Sequence, residues 1–302
     1  MSKKAVVVGG AGFIGSNLVD ALIAKSFDVE VIDNLVGGKK EQVNPKAKLH
    51  IEDILNLEKI KPIFKDAEYV FHLAALPRVQ YSIEHPVETN RVNVEGTINV
   101  LIAAAAAGVK KLVYSASSSA YGDQLVMPLQ EDMLALPKSP YGLQKYIGEL
   151  YCRLWSDIYN LPTVCLRYFN VYGPRQNPDG AYALVIAKFL RQRQNNEAMT
   201  ITGDGEQTRD FTHVRDIVRA NILAAESDRV GKGEVINAGS SHNYSVNEIA
   251  AIIGGPTVNI SARLEPRASL ADNSRARELL GWVPQEEMIP AIAELKHLIG
   301  LE

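Results

Sequence analysis

The sequence predicts an α/β protein built on a doubly wound parallel sheet, followed by a smaller C-terminal α/β region. Three observations carry that prediction. Short β-branched runs alternate with helical patterns through the first two-thirds of the chain, the runs are continuously apolar, and a glycine-rich turn joins the first run to the first helix. Strand–helix alternation argues for a parallel sheet with helices on both faces. Continuous apolar runs are what strands covered on both faces require.

The elements follow in order. Strands are predicted at Ala5–Val8, Val29–Ile32, Lys48–Ile51, Tyr69–Leu73, Lys111–Ser115 and Thr163–Arg167, with helices at Phe13–Ala24, Asn56–Phe64, Pro86–Ala107 and Tyr141–Tyr159 between them. After Gly173 the rhythm breaks: Pro174, Pro178 and Gly180 punctuate a loop, and the later elements are shorter. We therefore divide the chain into a dinucleotide-binding domain at 1–173, to which later elements can return, and a mainly substrate-binding region at 174–302. There is no internal repeat.

With 302 residues, 46% of them hydrophobic and 22% charged, the chain has ample core material. A net charge of −3 gives no footprint for nucleic acid or an anionic membrane. The two cysteines, Cys152 and Cys165, stand in no CxxC pair and suggest a reduced, cytoplasmic protein. The lysines and apolar run at the N-terminus superficially resemble a signal peptide, but Asn17, Asp20 and the glycines interrupt the run. No stretch approaches the uninterrupted ~20 apolar residues of a membrane span. Six histidines lie scattered without ligand spacing, so no metal is expected.

The turn VVVGGAGFIGSNL satisfies both Gly9-x-x-Gly12-x-x-Gly15 and Gly10-x-Gly12-x-x-Gly15. Glycines there permit the tight turn and bring backbone close to a pyrophosphate at the helix N-terminus, the Rossmann arrangement. Asp33 ends the second strand, eighteen residues past Gly15, where a carboxylate accepts from an adenosine ribose and repels a 2′-phosphate. NAD is thus expected over NADP, although Lys39 and Lys40 stand nearby. Asp53 has two open readings, a contact to the adenine amino group or a cap for the Asn56–Phe64 helix.

Residues 114–122, YSASSSAYG, place four serines at the end of the fifth strand, and SPYGLQK at 139–145 sets Tyr141 four residues before Lys145. On a helix such a pair shares one face. An ammonium beside a phenol favours the phenolate, which can take a proton from a sugar hydroxyl as a hydride leaves the same carbon. Ligands of open α/β sheets bind outside the carboxyl ends of the strands, where these serines lie.

These segments, together with HLAAL (72–76), NVEGT (93–97), RYFNVYGP (167–174), GDGEQTRDFTHVRDI (203–217) and SLADNSRARELLGW (269–282), resemble the extended short-chain dehydrogenases/reductases. The resemblance is to the NAD-dependent nucleotide-sugar epimerase/dehydratase branch and runs from Lys4 to about Val283. It implies that Ser117, Tyr141 and Lys145 are catalytic. It further implies that Gly9, Gly12, Phe13, Ile14, Gly15, Asp33, Asn34, Asp53, Ile54, Leu73, Ala74 and Ala75, with Tyr141 and Lys145, hold NAD. Dehydratase and decarboxylase relatives typically carry acids just after the catalytic Ser/Thr, where this chain has Ser118 and Ser119. The resemblance therefore points to 4-epimerisation of a UDP-hexose, with UDP-glucuronate epimerisation, dehydration or a non-catalytic NAD-binding scaffold as alternatives.

On the substrate side the resemblance assigns the diphosphate to Asn170, Arg209 and one of Arg263 and Arg267. Ser269 stands where some relatives carry a bulky tyrosine, which leaves room for an N-acetyl group. Arg78 and Tyr81 follow the fourth strand as pocket candidates. His72 and His213 are expected to be structural. A homodimer is implied through the two long helices, while the spacing of Leu150, Leu154 and Ile158 equally suits a core-facing stripe.

Overall fold

The computed structural model describes residues 3–178, 184–262 and 267–301. Its centre is a parallel sheet of seven strands: β1 (Lys4–Val8), β2 (Asp28–Ile32), β3 (Lys48–His50), β4 (Tyr69–His72), β5 (Lys111–Ser117), β6 (Thr163–Tyr168) and a late strand, β11 (Lys232–Ala238). Their spatial order is β11-β6-β5-β4-β1-β2-β3. The order reverses between β1 and β4, and that switch point opens a crevice at the carboxyl ends of the strands.

Helices α1 (Phe13–Ala24), α2 (Leu57–Ile60), α3 (Val79–Glu84), α4 (Pro86–Asn90), α5 (Gly96–Ala107) and α6 (Pro140–Tyr159) connect the first six strands. Leu18 and Leu22 of α1 pack on one face of the sheet with Val218 and Leu280 from later in the chain. Val100 and Leu101 of α5, with Cys152 and Trp155 of α6, cover the other. Each large aliphatic or aromatic side chain so buried contributes about 1.5–3 kcal/mol, which is why both faces of the strands read as apolar.

Beyond β6 come β7 (Val171–Tyr172), α7 (Val185–Gln194), β8 (Met199–Thr202), β9 (Thr208–Asp210), β10 (Thr212–His213) and α8 (Val214–Glu226). After β11 follow β12 (Asn243–Ser245), α9 (Val246–Ile253), β13 (Thr257–Ile260), α10 (Ser274–Leu280) and α11 (Met288–Leu298). The pairs β7–β10 and β8–β13 are parallel, and β9–β12 is antiparallel. Phe189, Ile249 and Ile292 centre a separate core for this part, whereas α8, β11 and α10 pack into or onto the large sheet.

Most element bounds differ from the sequence-based expectations by a residue or so, and two differences bear on the site. Strand β5 runs two residues further, to Ser117, because its ladder with β6 continues through Ser117 and Tyr168. The predicted 86–107 helix is interrupted by a π-helical turn at Arg91–Glu95, which swings Asn93 into the interior. The spacing of Leu150, Leu154 and Ile158 leaves a core-facing stripe open as one reading; these residues are 51%, 42% and 60% exposed.

Helix α6 lies unusually close to the sheet. A Cβ on Gly148 would stand 2.2 Å from the Tyr114 hydroxyl, and that hydroxyl is itself buried without a hydrogen-bond partner among the described residues. Gly148→Ala is expected to cost about 1–3 kcal/mol from overpacking. Tyr114→Phe, which removes an unpaired buried hydroxyl, is expected to be neutral or stabilising and to recover part of that loss in the double variant; urea unfolding of the three variants measures both effects.

Candidate active site

The turn between β1 and α1 is shaped by contacts that only glycine allows. At Gly9, φ is +85° and a Cβ would meet the Ala74 nitrogen at 2.5 Å; at Gly15 a Cβ would meet the Gly9 carbonyl at 2.1 Å. Gly12 caps α1 and supplies no side-chain oxygen, so the first-turn N–H groups around Phe13 and Ile14 are left for a ligand. Leu73 and Ala74 are held beside this turn, both amides donating to the Val8 carbonyl at 2.8 and 2.9 Å, and Ala75 follows them.

Asp33 lies at the end of β2 with its carboxylate already oriented. Oδ2 accepts from the Ala11 amide at 2.9 Å and Oδ1 from the Leu35 amide at 2.8 Å. Asp53 does not cap the helix that follows: Oδ1 accepts from the Leu55 amide at 2.8 Å, and Oδ2 accepts from the Asn34 side chain at 2.9 Å. The cap position belongs to Asn56, whose side chain makes no capping bond. Ile54 is buried against Gly96. A dinucleotide fits this cradle, with uncapped amides for a pyrophosphate and an oriented carboxylate for a ribose.

Past the C-terminal end of β5, Ser117, Tyr141 and Lys145 come together. Helix α6 starts on Pro140, with the Ser139 hydroxyl accepting from the Gly142 amide at 3.1 Å. Gly142 lets that first turn close on the Ser119 carbonyl, which a Cβ would meet at 2.6 Å. The Ser117 hydroxyl accepts from the Ser119 amide at 3.2 Å and lies 3.1 Å from the Ser119 hydroxyl. Burial pushes the Tyr141 phenol up, and its hydrogen bond with Ser117 pulls it back in part. The Lys145 ammonium donates to the Ser115 carbonyl at 2.7 Å and lies 4.9 Å over the Tyr114 ring. Burial lowers its pKa to about 8.

Several residues that sequence reasoning passed over hold this geometry. The Ser82 hydroxyl accepts from the Tyr141 amide at 3.0 Å. Asn93, turned inward by the π-helical turn, bonds both backbone groups of Leu76 at 2.8 and 3.2 Å and the Gln144 side chain at 2.8 Å. Gln144 in turn donates to Thr89 at 3.0 Å. The available signal was a run of amides and hydroxyls on otherwise apolar helix faces. His72 is fully buried, its Nε2 2.9 Å from the Thr97 hydroxyl. Burial drops its pKa to about 3, so it is neutral beside Lys145. His213 caps α8, its Nδ1 accepting from the Arg215 amide at 3.2 Å.

On the other side of the crevice, Asn170 and Ser269 meet around the end of β9. The Asn170 amide donates to the Asp210 carbonyl at 2.9 Å and reaches the Ser269 hydroxyl at 3.5 Å, and that hydroxyl accepts from the Asp210 amide at 3.3 Å. Arg209 lies on β9, one Nη donating to the Thr208 carbonyl at 2.9 Å. Arg267 is drawn elsewhere, into an exposed bidentate pair with Asp204 at 2.9 and 3.0 Å. Arg263 falls outside the described residues. Arg78 precedes α3 half-buried, its guanidinium without an ion pair among the described residues, while Tyr81 donates to Glu88 at 2.8 Å.

Comparison with known proteins shows the family. The family model described as NAD dependent epimerase/dehydratase family matches residues 5–239. A putative UDP-glucose 4-epimerase of Methanocaldococcus jannaschii is 40% identical over 291 residues, 94% of each chain. The structure is similar to a UDP-N-acetylglucosamine 4-epimerase from Methanobrevibacter ruminantium M1 in complex with UDP-N-acetylmuramic acid, at 39% identity and TM-score 0.94 over 100% of this chain and 99% of that one. It is also similar to a UDP-glucose 4-epimerase from Thermotoga maritima with UDP-glucose, at 37% identity and TM-score 0.93 over 99% of this chain and 100% of that one.

The buried lysine gives a pH test of the site. An unfolded lysine stays protonated to 10.5, whereas folded Lys145 releases its proton near 8. Between those values the unfolded chain binds more protons, so this group makes stability rise with pH across the window and carries its full cost below it. Lys145→Met is expected to be more stable than the parent at pH 7, by roughly 1–3 kcal/mol. The gap should close as pH rises from about 8 towards 10.5; urea unfolding across that range checks it, and a Lys145→Met protein less stable at pH 7 contradicts it.

Proposed function

The chain belongs to the NAD-dependent epimerase/dehydratase family, and we propose from that footing that it inverts C4 of a UDP-hexose, UDP-N-acetylglucosamine or UDP-glucose. The observation that carries this reading is the conjunction at the end of β5. A buried tyrosine faces Ser117, a buried ammonium lies one helical turn away, and Ser118 and Ser119 stand where dehydratases carry acids. Without a second acid/base at those positions, the site suits proton removal and return at a single oxygen rather than elimination of water.

In this mechanism Tyr141, as phenolate, takes the proton of the sugar 4-hydroxyl. NAD, held by Gly9, Gly12, Gly15 and Asp33, would supply reversible hydride acceptance at C4. Ser117 donates a hydrogen bond to the C4 oxygen as it becomes a ketone, holding it within reach of Tyr141. We assign Lys145, one turn along α6 from Tyr141, the role of favouring the phenolate through its positive charge. After the keto-sugar has turned over, Tyr141 gives the same proton back to O4. Gly9, Gly12, Gly15 and Asp33 bind the dinucleotide; Asn170 and Arg209 bind the diphosphate, Arg209 in the bidentate manner suited to phosphate. Ser269, small and near Asn170, leaves space for a 2-acetamido group.

Incubation with each UDP-sugar, followed by NMR at C4, tests the assignment; no inversion with NAD bound sinks it. Tyr141→Phe should lower turnover by about 10²–10⁴-fold while the protein still binds NAD. A second substrate, UDP-glucuronate, is favoured by one observation: the Arg78 guanidinium has no ion-pair partner among the described residues and is available to a C6 carboxylate. Turnover of UDP-glucuronate alone, lost in Arg78→Ala, would assign that activity instead.

The same reading includes a cytoplasmic homodimer. Supporting it, Cys152 and Cys165 are free and buried, and no helix of the described residues is long and apolar enough to cross a membrane. The exposed Leu143, Leu150, Leu154 and Ile158 place an apolar stripe along α6, and a second copy of this chain is the occupant we assign to it. Leu154→Glu with Ile158→Glu should give a monomer by light scattering, and a dimer that survives both changes removes α6 from the interface.

A further inference from the structure

Glu149 lies on α6 one turn beyond Lys145, and Arg167 is the penultimate residue of β6. Their side chains form a bidentate pair, Nε to Oε1 at 2.8 Å and Nη2 to Oε2 at 2.7 Å, at 3% and 2% exposure. The guanidinium lies 4.3 Å over the Tyr121 ring, and Nη1 has no hydrogen-bond partner among the described residues. A buried ion pair is not in itself a source of stability, since apolar residues of similar volume are often as good or better. Neither residue enters the mechanism above.

The pair's neighbour gives it a purpose. Residues four apart on a helix share a face with Cβ atoms about 5–6 Å apart, so the Glu149 carboxylate is the natural ion-pair partner for the Lys145 ammonium. Yet Lys145 donates to the Ser115 carbonyl and makes no ion pair among the described residues. We propose that Arg167 and Glu149 are positioning residues for Lys145. By occupying both oxygens of the carboxylate, Arg167 withholds it from the ammonium, so that Lys145 stays on β5 with its charge directed to Tyr141. Glu149 in turn neutralises Arg167, whose bare charge would otherwise discourage a second cation nearby.

The groups around Lys145 fit this division. On β4 it faces His72, which is neutral, and on β5 the Tyr114 ring. Cys165 on β6 and Cys152 on α6 are buried thiols, with Arg167 behind Glu149. Tyr141 and Glu149 are one turn away on its own helix. Glu149 is therefore the one anion of this group, and Arg167 the one other cation. Burial pushes the Glu149 carboxyl up, and the Arg167 contact, with a smaller contribution from Lys145, opposes that.

The inference rests on Tyr141 acting as the proton acceptor, and its signs follow from charge alone. Arg167→Gln frees the Glu149 carboxylate to pair with Lys145, cancelling the charge beside Tyr141. The phenol should then ionise about one pH unit higher, carrying the acidic limb of kcat/KM with it. Glu149→Gln leaves Arg167 uncompensated, and Lys145 should lose its proton about one unit lower, moving the alkaline limb down. The double variant Glu149→Gln/Arg167→Gln, with neither charge, should restore both limbs even if it is less stable.

Kinetic pH profiles of the holoenzyme variants are paired with tyrosinate absorbance titrations, each against its Tyr141→Phe counterpart. Limbs that move in opposite directions and return in the double variant support the proposal. Limbs that stay in place while thermal stability falls, or a double variant no closer to the parent than the singles, overturn it and leave a structural ion pair. The absorbance titration reads Tyr141 whether or not any nucleotide sugar is turned over, so it separates failure of this coupling from failure of the epimerase reading.

Discussion

A lysine ammonium buried between a helix and the end of a strand constrains everything around it. At 3% exposure Lys145 has lost nearly all its hydration, and what replaces water is one carbonyl, that of Ser115, and the face of the Tyr114 ring. Both belong to β5, so α6 must approach the sheet closely enough for a lysine stem to reach across. Gly142 and Gly148 make that approach possible, one against the Ser119 backbone and one against Tyr114. The same closeness sets Tyr141 over Ser117. Removing water from the charge also extends its field, because an ion acts over a longer effective range in a low-dielectric site. The unfavourable burial of Lys145 and the placement of Tyr141 against Ser117 are two sides of one arrangement.

The opposite wall of the crevice depends on a buried carboxyl group. The Asp210 carboxylate, fully enclosed, accepts from the Ser240, Ser241 and Ala271 amides at 2.8, 3.0 and 3.0 Å and from the Ser240 hydroxyl at 2.7 Å. Burial pushes its pKa up and these donors pull it back. Asn237 makes an analogous junction, accepting from Tyr121 at 2.7 Å and donating to the Leu129 and Asp272 carbonyls at 2.9 and 3.1 Å. These two residues join the segment bearing Ser269 to β9, β11 and the loop after β5. Satisfied networks of this kind rigidify a junction, because every alternative leaves a polar group unpaired. The side of the crevice bearing Asn170 and Ser269 is therefore tied to the end of the sheet where Ser117 lies.

Much of the sheet half was legible in the sequence because its signals are local. Three valines before a glycine run, Asp33 at the end of the next strand and the Tyr141–Lys145 spacing each report on a few neighbouring residues. The elements recovered from them differ from the structure by a residue or two, except where a π-helical turn carries an irregularity that periodicity does not encode. The junction residues were not legible. Glu149, Arg167, Asp210 and Asn237 read as ordinary surface-type residues in sequence, and only long-range contact reveals them as buried. Arg267 shows the reverse limit: an arginine in a motif says nothing about the Asp204 that claims it. The stripe on α6 was ambiguous because periodicity shows that one face is apolar without showing what covers it.

Strand β11 is contributed by residues 232–238 yet hydrogen-bonds along the whole of β6, which ends at Tyr168. Through the intervening synthesis β6 is an edge strand, apolar on the face of Val164, Leu166 and Tyr168, with a row of unpaired amides and carbonyls. Arg167 therefore spends that interval on an open border. The loop that must close before β11 docks is long, and its closure is slow compared with the local βα units that precede it. The six-stranded nascent sheet is thus the species in which this chain is most open to strand addition from another molecule. Its risk of aggregation during biosynthesis follows from where in the gene the seventh strand is encoded.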